Sequence, residues 1–234
     1  MAVRTNDVDG STFSFLNTAD QFTQDPFSAM VWFNLYSGDS NPQNRTIITV
    51  WDNPTSKSWF LKPDTGGALT LRSGMSFDGS ASVTLVATAG LLSLDTWFHG
   101  GIDFDGTDLH IWLNGVLEAT LNDPGTIFDD AEDFGIGGTS DGGNTQDVDT
   151  ADVRYYDRIL SAEEWLTIFT ARGHDGIVEG LLLRPLLNDR ESGILVTTKN
   201  PIDAGPLQIA YADEDGAPVP EYVEDGGFSF RRRV

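Results

Sequence analysis

Three histidines, His99, His110 and His174, are the side chains best suited to acid/base or metal chemistry in this 234-residue chain, and their spacing supports neither. None has the i, i+4 partner that would put two imidazoles on one turn of a zinc-binding helix, and no G-x-S-x-G presents a serine nucleophile. The glycine-rich "FGIGGTSDGGNT" lacks both the Lys-Ser/Thr end of a phosphate loop and the strand-to-helix setting of a dinucleotide site. The acidic runs "DDAEDF" at 129–134 and "ADEDG" at 212–216 read as loops, because they lack the alternation that aligns carboxylates along one face of a strand. His99 reads as structural, no catalytic residue is assigned, and the chain is expected to be a non-enzyme.

Binding chemistry has better candidates. Trp51, Trp59 and Trp112 offer flat apolar surface on which a sugar ring could stack, although a sandwich core absorbs tryptophans equally well. Asp141, Asn144, Asp147 and Asp149 in "SDGGNTQDVDTAD" supply the hard oxygens that calcium prefers. Their spacing is not that of an EF-hand, and the same residue types populate ordinary solvated loops. Arg231, Arg232 and Arg233 in "FSFRRRV" concentrate positive charge on an acidic chain; they either pair with local carboxylates or contact a neighbouring subunit or acidic partner.

The balance of 36 acidic against 14 basic residues gives a formal net charge of -22, which opposes a nucleic-acid backbone and an anionic membrane surface alike. Solubility is the plain reading of that charge, and divalent-cation sites or life in high salt are the sharper ones. With no cysteine there is neither disulfide nor thiolate metal site. No segment approaches the length of a membrane span, and "MAVRTNDVDGSTFSFLNTAD" lacks the apolar run of a secretory signal, so synthesis in the cytoplasm without Sec export is expected. Asn44-Arg45-Thr46 matches a glycosylation acceptor and, on that expectation, is a chance match.

The elements that must position these groups are short and extended. "STFSFL", "FSAMVWFNLY", "RTIITVW", "SWFLKP", "ALTLRS", "SVTLVAT", "TWFHGGIDF", "LHIWLNG", "VLEATL", "DFGIGG" and "DVRYYDR" follow one another with turn residues between them and Asp-Gly at Asp9, Asp78, Asp105 and Asp141. Many short strands with no helical periodicity between them predict an all-β antiparallel sandwich or barrel. Asn114-Gly115 suits a type I′ turn, so Leu109–Leu121 reads as a hairpin with Leu113 opposite Val116. A regular register then puts Leu109, Ile111, Leu113, Val116, Glu118 and Thr120 on one face, and His110, Trp112, Leu117, Ala119 and Leu121 on the other. One short helix is predicted near residues 162–172, opened by a Ser161/Glu164 capping box, stopped near Gly173, and packing Trp165 and Phe169 on a sandwich edge. Residues 173–234 hold too few large apolar groups for a second core and read as a C-terminal extension packed on the sandwich or on a neighbouring subunit.

"FTQDPFSAMVWFNL", "TWFHGGIDFDGTDLHIWLNGVLEAT", "FGIGG" and "ADVRYYDRILSAEEW", in this order, resemble the concanavalin A-like, laminin G-like jelly rolls over about residues 10–172. The resemblance implies two curved antiparallel sheets packed face to face within residues 1–172. Glucanases of that fold carry an E-x-D-x-x-E or E-x-D-x-E strand, and neither pattern occurs here. Calcium at a sandwich rim, as in laminin G-like and pentraxin-like relatives, is a further implication. Two functions follow as expectations. The first is a structural bacteriophage virion component, a capsid decoration, fibre or tail-associated protein on the virion surface, made in the host cytoplasm, released by lysis and assembled as a homo-oligomer with other virion proteins. The alternative is a carbohydrate-binding lectin or adhesin module on a bacterial surface or outside the cell, with glycans as partners.

Overall fold

The computed structural model describes residues 3–5, 13–15, 21–36, 46–52, 56–129, 132–139, 148–185, 209–212 and 218–221. The strands are β1 (Val3–Thr5), β2 (Phe13–Phe15), β3 (Phe27–Leu35), β4 (Ile48–Asp52), β5 (Ser56–Asp64), β6 (Thr70–Met75), β7 (Val83–Val86), β8 (Trp97–Phe104), β9 (Asp108–Leu113), β10 (Val116–Asn122), β11 (Phe134–Ile136) and β12 (Val148–Tyr156). Helix α1 (Ala162–Ala171), β13 (Leu181–Leu183), β14 (Ile209–Ala212) and β15 (Pro218–Glu221) follow. A seven-stranded sheet runs β1-β12-β3-β8-β9-β10, with β13 also on β12, and a six-stranded sheet runs β2-β11-β4-β5-β6-β7. All these pairings are antiparallel, as the turn-punctuated pattern predicts, and β14 and β15 pair with each other.

Alternation builds the core. Phe27, Ala29, Val31, Phe33 and Leu35 on β3 are fully buried between the sheets, against Trp59, Leu61, Leu71, Phe134 and Ile136 from the opposite sheet. Phe27 stacks on Trp59 at 5.3 Å and on Tyr155 at 5.5 Å. Each such side chain contributes on the order of 1.5–3 kcal/mol by leaving water.

The "GG" of β8 explains how both faces of one strand are filled. Gly100 points into the core, where an added Cβ would lie 2.8 Å from the Phe33 ring and 3.1 Å from Leu71. Gly101 points outward, where a Cβ would lie 2.5 Å from both the Trp165 ring and the Ala29 carbonyl oxygen. Helix α1 therefore rests on the outer face of the seven-stranded sheet, not on a sandwich edge. Met30, Trp112, Tyr156, Leu160, Trp165 and Ile168 form a second apolar cluster there. The expected capping box is present: the Glu164 N–H donates to Ser161 Oγ, and the Ser161 N–H donates to the Glu164 carboxylate.

Asn114 and Gly115 take φ of 52° and 79°, as a type I′ turn requires, and Val116 faces Leu113. The turn also docks: the His99 N–H donates to Asn114 Oδ1 at 3.0 Å, and a Cβ on Gly115 would lie 2.9 Å from Leu166 Cα of α1. The regular register does not persist. A bulge between Leu117 and Ala119 sets Ala119 opposite Ile111 and Leu121 opposite Leu109, so Ala119 and Leu121 pack on the core, reversing the faces expected for 118–121.

Candidate functional site

The outer face of the seven-stranded sheet carries polar chemistry, with the carboxylates of Asp103, Asp152 and Asp175 internally engaged. Asp103 on β8 accepts from His110 Nδ1 and from Trp112 Nε1, each at 2.6 Å. That hydrogen bond raises the His110 pKa despite partial burial. His99 is buried among Trp32, Trp165 and Phe169; burial drives its pKa down to about 3, and neither ring nitrogen has a hydrogen-bond partner among the described residues. The buried Arg154 guanidinium is held by Asp175 at 2.7 and 2.8 Å and by Asp152 at 2.6 and 3.0 Å. Burial opposes the charged form of Asp175, yet the bonds from Arg154 and from the Ile177 N–H hold its pKa down to about 2. Arg184 joins the network through Asp152 at 2.7 Å and donates to the Gly173 carbonyl at 2.7 Å. These groups fasten the segment after α1 to the sheet, and β13 lies along the edge of β12 just beyond it.

The three tryptophans are separated by the fold. Trp59 is fully buried and donates from Nε1 to the Phe22 carbonyl at 2.8 Å, so it presents no face to solvent. Trp112 lies flat against Trp165, with ring centroids 5.1 Å apart and 7° between planes, beneath α1. Trp51 sits on the outer face of the six-stranded sheet, 9% exposed, edge-on to Phe60 at 5.0 Å. Asp149 lies on β12 opposite Asn34 and Arg4. Asp141, Asn144 and Asp147 lie outside the described residues, as do Arg231, Arg232 and Arg233. Among the described residues no three His, Asp or Glu side chains converge as metal ligands.

Around Trp51 the outer face of the six-stranded sheet collects groups that the sequence reading had not singled out. Lys57 is the cross-strand partner of Trp51, with Nζ 5.6 Å from the indole centroid and donating to the Ser80 carbonyl at 2.8 Å. The Lys62 ammonium lies 4.9 Å from the Phe60 ring centroid. Arg72 is the direct partner of Lys62 on β6 and reaches Thr84 Oγ1 on β7 at 3.3 Å. Phe60 lies over Gly74, where an added Cβ would meet the ring at 2.6 Å. Partial burial, then the Arg72 charge, lowers the Lys62 pKa, with Asp64 opposing. A signal was present in the sequence, a cation at each end of "KSWFLK" and another in "LTLRSG", but simple alternation would put Lys57 and Lys62 on opposite faces, and only the register shift between Val50 and Trp51 and the β5–β6 pairing bring the three to one face.

Residues 9–164 match the sequence model of the concanavalin A-like lectin/glucanases superfamily, in its laminin G-type branch. The chain belongs to this superfamily. Solved structures with the superfamily's sandwich align with it at identities that establish the fold alone. A Bacteroides ovatus protein assigned as carbohydrate-binding aligns with a TM-score of 0.60 at 19% identity, over 84% of this chain and 54% of that one, so this chain spans about half of its length. The heptameric SAP-like pentraxin of Limulus polyphemus gives a TM-score of 0.52 at 14% identity, covering 80% and 92% of the two chains. The CBM40 of the Ruminococcus gnavus IT-sialidase, solved with α2,3-sialyllactose, gives 0.51 at 12% identity, covering 72% and 95%. No curated protein matches the chain in sequence.

Proposed function

We propose that this chain is a non-catalytic carbohydrate-binding module acting at a cell surface or outside the cell, with its ligand face on the outer side of the six-stranded sheet. The observation that supports this reading best is the grouping of Trp51, Phe60, Lys57, Lys62 and Arg72 on that face of a lectin-superfamily sandwich. Cationic side chains donate to sugar hydroxyls and acidic groups, while the two packed rings hold the strand positions from which they project. The opposite outer face is covered by α1, and its buried carboxylates are consumed, Asp103 by His110 and Trp112 and Asp175 by Arg154. No glutamate pair of the glucanase kind exists in the sequence, which supports a binding role over hydrolysis.

The carbohydrate-binding names among proteins of similar fold favour this reading over the virion component expected first, which the comparisons leave without support. A homo-oligomer would raise the avidity of a weak single site, as multivalent display does generally. A glycan array probed with the full chain, followed by calorimetric titration of any binder, tests the reading. Binding is expected, weakened by Trp51→Ala and unchanged by His110→Ala on the far face. An array with no binder removes it.

A further inference from the structure

We propose that the ligand of the six-stranded sheet's outer face carries a carboxylate, so that the sugar it takes is a uronic or sialic type of acidic glycan. This inference rests on the carbohydrate-binding reading and narrows it.

On the helix-covered side the three arginines that pack on the sheet and the segment after α1 each meet a carboxylate: Arg154 meets Asp152 and Asp175, Arg158 meets Glu164 at 2.6 Å, and Arg184 meets Asp152, while the exposed Arg172 at the end of α1 meets none among the described residues. On the other side Lys62 faces Arg72, with Lys57 further along β5, and among the described residues none of the three has a carboxylate at ion-pairing distance. Acidic side chains outnumber basic ones by 36 to 14, so unneutralised cations on adjacent strands run against the composition.

The arrangement also runs against stability. Lys62 and Arg72 occupy directly opposed positions on β5 and β6, where like charges repel. The nearest strand carboxylate, Asp64, is turned to its own loop, accepting from the Gly66 N–H at 3.1 Å. Arg72 is left with one hydrogen bond, from Nη2 to Thr84; its Nε is buried without a partner among the described residues, so the donors it can offer a ligand are those of its Nη groups. A planar guanidinium with free donors beside an ammonium group matches a carboxylate, which accepts two parallel hydrogen bonds. Thr84 and Val86 are exposed beside the pair, leaving room for the sugar ring that carries the acid.

The test uses the full chain with defined probes: oligogalacturonate, α2,3-sialyllactose, the methyl ester of each, and a sulfated oligosaccharide carrying no carboxylate. At least one free acid is expected to bind, with affinity reduced about tenfold by esterification, the size of one charge-assisted hydrogen bond, and falling as salt rises. Lys62→Ala and Arg72→Ala should each weaken that probe, with Arg72→Lys intermediate because it keeps the charge and loses the fork; thermal melting of each variant controls for folding. Esters that bind as well as acids, or Lys62 and Arg72 variants that melt normally and bind normally, overturn the proposal and leave the carbohydrate-binding reading standing. A sulfated probe that binds as tightly as the acids overturns the carboxylate assignment. If no glycan, acidic or neutral, binds on the array, the broader reading itself has failed.

Discussion

Asp103 and His110 meet across β8 and β9 with a carboxylate oxygen 2.6 Å from Nδ1, and the second oxygen of the same carboxylate serves Trp112 Nε1. Two donors thus converge on one buried acid beside α1. Asp103→Asn keeps an acceptor oxygen for Trp112 but can meet His110 only by donating to a neutral Nδ1, so the charge-assisted bond is lost, and it is expected to cost about 1–3 kcal/mol in denaturant unfolding.

The same pair makes a prediction about pH. His110 has its pKa raised in the folded state, so the folded form holds a proton that the unfolded chain releases first. Its contribution is fully present below the ordinary histidine pKa of 6.5 and fades as pH rises through the higher folded value. The melting difference between the native chain and His110→Gln should be largest near pH 5.5 and shrink above neutrality. A difference that grows with pH would contradict the assignment.

Gly100 and Gly101 separate two kinds of crowding. A Cβ at position 100 meets only side chains, Phe33 and Leu71, which can yield by small rotations. At 101 it meets the Ala29 backbone oxygen at 2.5 Å as well as Trp165, and a carbonyl within the β3–β8 ladder has nowhere to go. Gly101→Ala is expected to cost about 3 kcal/mol, the upper end for overpacking, and more than Gly100→Ala. Urea unfolding of the two variants gives the comparison.

Much of this fold was legible because period-two alternation is a local property. The eleven extended runs fall on β2 to β12, and the Ser161 capping box and Asn114-Gly115 turn sit where their chemistry demands. What was not legible depends on register. The bulge after Leu117 reverses the last residues of the hairpin, and nothing in "VLEATL" announces it. Whether Trp112 faces solvent is decided by where Trp165 lands, fifty residues later in the chain. The Lys62–Arg72 pair was hidden for the same reason, since each is an ordinary solvent-side cation on its own strand.

Arg154 and Asp175 carry the acid sensitivity of the segment after α1. Asp175 has its pKa lowered from 3.8 to about 2, so its contribution is present above 3.8 and lost as pH falls through about 2. Asp175→Asn leaves the buried guanidinium with Asp152 as its one carboxylate, beside Tyr156 Oη, and losing a charge-assisted pair while the charge stays compensated is expected to cost about 1.5–3 kcal/mol. The loss should be full at pH 7 and should narrow between pH 4 and pH 2, as the native chain loses the same interaction. Acid titrations followed by tryptophan fluorescence, with Trp165 and Trp112 nearby, would read it.

His99 behaves oppositely to His110 although both lie on the outer side of the seven-stranded sheet. Burial lowers its folded pKa to about 3, whereas the unfolded chain takes up a proton near 6.5. Between those values the unfolded state binds more protons, so this residue makes the fold less stable as pH falls. Its ring nitrogens have no partners to lose among the described residues, and its neighbours are Trp32, Trp165 and Phe169, so an apolar ring can take the place of the imidazole. His99→Phe is therefore expected to change stability at pH 7.5 by less than about 1.5 kcal/mol, as a shape-conserving swap does, and to stabilise the protein increasingly from pH 6.5 to pH 4. Melting curves across that range decide it: a variant that tracks the native chain at every pH would mean that His99 keeps its proton in the fold, and that the aromatic pocket holds a charge.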